Sequence, residues 1–142
     1  VIAVTMWLAC SVAMSGCGKG KERAALATKL EQRIQAASAT GGDVLLTEVT
    51  DFDWDTFHIF TPYVGAEEVR KWLGIDWSGA RDVPEMECLL VFVKGGEVVM
   101  DLDFSRTKGD FSSIRKSRFT REEARFTAPK DGKALTHASD SP

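Results

Sequence analysis

The chain has 142 residues, 44% of them hydrophobic and 27% charged, with a net charge of −3. That length suits one domain with its own core. The mild acidity, with no basic face and no nucleic-acid-binding motif, argues against a DNA or RNA partner, and three cysteines are too few for a disulfide scaffold.

Residues 1–14 read Val-Ile-Ala-Val-Thr-Met-Trp-Leu-Ala-Cys-Ser-Val-Ala-Met, without a charge, and Ser15-Gly16-Cys17 follow before charges begin at Lys19. The apolar stretch falls short of the roughly 18 residues of a spanning helix. Its small residues before a cysteine fit a secretory leader better than an element of the fold. Met14-Ser15-Gly16-Cys17 resembles the lipobox of bacterial lipoprotein signal peptides. The resemblance implies a signal peptide at 1–16, acylation of Cys17, and a membrane partner reached through that lipid. Two or three acyl chains would hold the protein firmly where one binds only marginally. Gly18 after the cysteine, rather than Asp, implies the outer membrane facing the periplasm in a two-membraned cell, and otherwise the outer face of the plasma membrane. The leader lacks the usual basic start, and Met14 stands where Leu is commoner. With Cys10 removed and Cys17 lipidated, Cys88 has no partner for a disulfide.

Residues 17–21 read as a lipidated tether and 22–128 as a single domain. From Glu22 the pattern is helical, with Leu26, Leu30, Ile34 and Ala37 on one stripe and Gly41-Gly42 as the stop. Val44 to Val49 is a first strand. Thr56 to Phe60 is a second, with Phe57 and Ile59 on one face, His58 and Phe60 on the other, and Pro62 ending it. A short helix over Ala66–Leu73 turns Val69, Trp72 and Leu73 inward, and Gly74 stops it. Ile75 to Glu85 is loop. Cys88–Lys94 and Glu97–Phe104 form a hairpin about Gly95-Gly96, pairing Val93 with Val98, Val91 with Met100 and Leu89 with Leu102. Its first strand is central, and Asp101 and Asp103 lie on a solvated face. Phe119–Thr127 fits a helix or a strand, and residues 129–142 read as a disordered tail. The fold class is α+β: an N-terminal helix packed on a mostly antiparallel sheet of four to five strands, with a short inserted helix.

Candidate chemistry is sparse. Asp51-Phe-Asp-Trp-Asp55 alternates carboxylates as a calcium loop does, but an EF-hand begun at Asp51 would need Gly and Glu where Thr56 and Pro62 stand. It reads instead as an acidic turn anchored by Phe52 and Trp54. His58 reads as a partly buried structural histidine and Cys88 as a buried small hydrophobe. No cofactor or metal motif is present, and no catalytic set is suggested by spacing. The aromatic-rich stretch offers Trp54, Tyr63 and Trp77 as candidate contacts for a protein partner.

Asp53-Trp-Asp-Thr-Phe-His-Ile-Phe-Thr-Pro-Tyr63, followed by Glu67-Glu68 and Leu73-Gly74, resembles a recurrent pattern in small uncharacterised bacterial proteins, many of them lipoproteins. The resemblance implies no activity. Together these features lead to the expectation of a lipid-anchored, non-catalytic envelope protein that binds a protein partner. The alternatives are an immunity or inhibitor lipoprotein with an acidic blocking surface, and a cation-dependent enzyme using Asp53, Asp55 and His58.

Overall fold

The structure is a computed structural model that describes residues 17–132 and 134–140. The expected leader, with Cys10, lies outside the described residues.

The first helix, α1 (Cys17–Ser38), buries Leu26, Leu30 and Ile34 along the expected stripe. It packs on the domain and starts five residues earlier than the sequence suggests, so residues 17–21 are helix rather than tether. Once the apolar stripe fixes the middle of a helix, each further turn propagates at little cost. The second turn is also tied down: Arg23 donates from Nη2 to Asp101 Oδ1 at 2.6 Å and from Nε to the Asp101 carbonyl at 3.1 Å.

The expected strand at 44–49 is split. Strand β1 (Asp43–Leu45) runs directly into a single helical turn, α2 (Leu46–Val49). Leu46 and Val49, three apart, both reach the core on this turn. Thr50 closes it by donating its N–H and its hydroxyl to the Leu46 carbonyl. Glu48 pairs with Arg33 of α1.

Strands β2 (Thr56–Phe60), β3 (Glu87–Lys94), β4 (Glu97–Ser105) and β5 (Arg118–Thr120) form an antiparallel sheet in the order β4-β3-β2-β5. A second sheet, ordered β1-β6-β7, holds β6 (Arg125–Thr127) and β7 (Thr136–His137). The fold is α+β and antiparallel as expected, with two small sheets among the described residues where one was expected. The switch between them falls in the stretch that fits either helix or strand. Thr120 N–H donates to Glu123 Oε2 at 2.9 Å, and Glu123 N–H to Thr120 Oγ1 at 3.3 Å. This reciprocal turn, like a capping box, sends β5 into one sheet and β6 into the other.

The hairpin turns on Gly95 and Gly96, with φ 56° and 77°, the left-handed pair such a two-residue loop needs. Val93 faces Val98 as expected, but a bulge at Val99 then shifts the register. Met100 pairs with Phe92 and Leu102 with Leu90, while Asp101 and Asp103 pair with Val91 and Leu89. One extra residue swaps the faces of the strand beyond it. Met100, Leu102 and Phe104 thereby join Cys88, Leu90, Phe92 and the α1 stripe in the larger core, which extends to Phe119 and Phe126 near the second sheet. A smaller core on the other face sets Val69 of helix α3 (Ala66–Leu73) and Val83 against Phe60, Leu89 and Val91.

The expected disordered tail is ordered over much of its length. Leu135 is buried, and its N–H donates to the Asp110 carbonyl at 2.9 Å. β7 pairs with β6, and His137 Nε2 meets the Glu123 carbonyl at 2.7 Å. An isolated apolar side chain in a polar sequence gives no periodic signal, yet Leu135 finds a core position.

Candidate functional site

The outer face of the four-stranded sheet is only partly covered. Alternation along β2 sends Thr56, His58 and Phe60 to this face, and α3 with the loop behind it lies over the Phe60 end. The N–H of Ala66 at the start of α3 is capped by Asp82 Oδ1 at 2.9 Å. Its end is set by Gly74, with φ 68° and its N–H on the Arg70 carbonyl. Beyond that end the face opens into a cleft of about 340 Å³, lined by Thr56, His58, Trp72, Ile75 and Arg118 among others.

Two rings of its wall, His58 and Trp72, are backed by the buried ring of Phe60. His58 stacks on Phe60 at 6.4 Å between centroids, and Phe60 stacks on Trp72 at 6.0 Å. His58 Nε2 lies 3.0 Å from the Thr56 hydroxyl. Burial, and then the positive charge of Arg118 on the facing strand, lower the His58 pKa to about 4. The imidazole is therefore neutral at physiological pH. Arg118 itself is exposed and makes no hydrogen bond or ion pair among the described residues. Trp72, expected to point inward, is 50% exposed.

The other candidates fall elsewhere. Trp54 is 1% exposed, its indole N–H donating to Thr50 Oγ1 and its ring covered by Arg121 at 4.7 Å. It holds the acidic turn in the core and is no contact for a partner. Trp77 is half-buried: Gly79 lies so close beneath its ring that an added Cβ would sit 2.6 Å from it, and Arg81 lies over it at 5.8 Å. Tyr63 is the exposed one, at 75%, with φ 71°. Partial loss of water around its hydroxyl and the Glu85 carboxylate beside it raise its pKa.

The structure does not gather Asp53, Asp55 and His58. Asp53 pairs with Lys94, Asp55 accepts the Gly95 N–H at 2.8 Å to brace the hairpin turn, and His58 sits in the sheet with Thr56. Among the described residues no three His, Cys, Asp or Glu side chains are placed to share a metal ion. Asp101 corrects a further expectation. It is buried rather than solvated, between Arg23 and Arg81, while Asp103 stays exposed and shares Arg81. Cys88 is buried and free, and burial, then Asp110, push its thiol up to about 12, out of the reactive range.

Trp72 belongs to the aromatic-rich stretch but reads from the helical pattern as inward-facing, and nothing in the sequence singles out Arg118. The two belong to elements far apart in sequence and carry no motif, so only the β2–β5 pairing brings Arg118 opposite His58. Compared with protein-family models, with curated proteins and with solved structures, the chain matches none.

Proposed function

We propose that this chain is a lipid-anchored, non-catalytic domain of the bacterial envelope that acts by binding a protein partner. The observation that carries the reading is Met14-Ser15-Gly16-Cys17 behind an uncharged apolar stretch. The placement of Cys88 and of Asp53, Asp55 and His58 favours binding over catalysis, because each is engaged in packing or in bracing a turn.

Tyr63 is the contact residue of this reading. Its left-handed backbone costs a non-glycine residue about 1–2 kcal/mol. The hydrogen bonds from Tyr63 N–H to the Val83 carbonyl and from Val83 N–H to the Val64 carbonyl, each 2.9 Å, hold the segment in that shape. The ring so displayed is not buried, so the cost is not offset by packing. Large exposed aromatics are the side chains most often found at the centre of protein interfaces.

Feeding an alkyne-bearing fatty acid to bacteria that express the whole chain should label the protein, and Cys17→Ala should lose the label; label retained on the variant overturns the anchor. A photo-crosslinking residue at position 63 should give a discrete protein adduct in the same cells that is absent when the residue is placed at Lys94. The same pattern from both positions, or none from 63, overturns the partner assignment.

A further inference from the structure

We propose that the cleft between α3 and β5 is a binding site for a small organic monocarboxylate, with Arg118 taking the carboxylate and Trp72 supporting its apolar body. The inference is independent of the lipid anchor and of Tyr63. Three observations meet at this cleft. Its volume, about 340 Å³, lies at the small end of ligand-binding pockets. It holds an arginine with neither hydrogen bond nor ion pair among the described residues. And it holds a tryptophan half of whose surface is left to solvent, although its ring is already ordered by stacking on Phe60.

The chemistry narrows the ligand. A guanidinium presents a planar fork that matches a carboxylate with two parallel hydrogen bonds. A dianion is disfavoured, because Asp55 also lines the cleft and only one unpaired cation does. His58 is held neutral beside Arg118, so it adds no second charge but can offer a hydrogen bond. If the Thr56 hydroxyl donates to Nε2, the proton of the imidazole resides on Nδ1. No hydrogen bond among the described residues occupies that nitrogen, and no side-chain polar atom there is both sealed and unpaired. The rings of His58 and Trp72, each held by stacking on buried Phe60, then provide an ordered wall, which limits the entropy lost on binding.

The carboxylate has two sources, a free acid or the C-terminal end of a peptide. Titrating the purified protein with 3-phenylpropionate, and following the Trp72 indole N–H by two-dimensional NMR, should give saturable shifts in the millimolar range. The neutral 3-phenylpropionamide should not. Arg118→Gln should weaken the acid by roughly tenfold, and Trp72→Ala should weaken it too, read from backbone amides of β2. Both positions are exposed, so the variants should keep the wild-type spectrum elsewhere. Tighter binding of Ala-Ala-Phe with a free rather than an amidated C-terminus points to a chain end, whereas tighter binding of 3-phenylpropionate points to a free acid. Equal binding of acid and amide, wild-type affinity in Arg118→Gln, or no saturable shift for any probe overturns the proposal.

Discussion

His58 shows how a single side chain acquires properties that its sequence neighbours do not announce. The alternation Phe57-His58-Ile59-Phe60 places it on the sheet face opposite the large core, and that much is legible. Its neutral state comes from burial and from Arg118, a residue sixty positions away that reaches it only through strand pairing. A histidine whose folded pKa is lowered to about 4 binds its proton less readily than the unfolded chain does. Its contribution to unfolding free energy is therefore zero above the unfolded pKa near 6.5 and increasingly unfavourable as pH falls toward 4. Thermal melts should show the midpoint dropping between about pH 6.5 and 5, before most carboxylates titrate. His58→Gln should flatten that slope, and an unchanged slope would assign it to other groups. Asp101 teaches the same lesson from the other side. It alternates with Asp103 as a solvated strand face would, and only the bulge at Val99 carries it to the face where Arg23 and Arg81 enclose it.

At the scale of elements, α3 and the hairpin turn are the parts best specified locally. Glu67 and Glu68 sit at the positive end of α3, Gly74 takes the left-handed cap, and Gly95-Gly96 closes the hairpin. The bulge and the split of residues 44–49 were not legible, because an alternating pattern does not reveal an inserted residue. The consecutive Val98-Val99-Met100 was the one available sign. The N-terminal extension of α1 was hidden by Gly18 and Gly20, which weaken any helix assignment. Both glycines have open space where a Cβ would go and φ in the ordinary negative range. Gly18→Ala and Gly20→Ala should thus each add about 0.5–1 kcal/mol to the helix, measurable as increased helical circular dichroism and slower amide exchange over residues 18–24. A flexible tether would show neither change.

Across the whole molecule, the larger core joins elements from both ends of the described chain. Leu26, Leu30 and Ile34 of α1 share it with Phe111, Phe126 and Leu135, so the segment that reads as a tail belongs to the domain. Leu135→Ala should lower unfolding free energy by about 2–5 kcal/mol, read from urea denaturation. A loss below about 0.5 kcal/mol, the size of an ordinary surface change, would return the segment to the status of a tail. The continuity of α1 from Cys17 into this core has a consequence for the proposed lipid-anchored form. A coiled spacer of five residues would let the domain wander by about 12 Å from its lipid and tumble freely above the bilayer. In that proposed form, a helix tied to β4 by Arg23 and Asp101 would remove the play of the spacer and leave only the rotation of the lipidated side chain itself. Binding surfaces on its far side would then be presented within a narrower range of heights and angles, and an encounter would become a search in two dimensions.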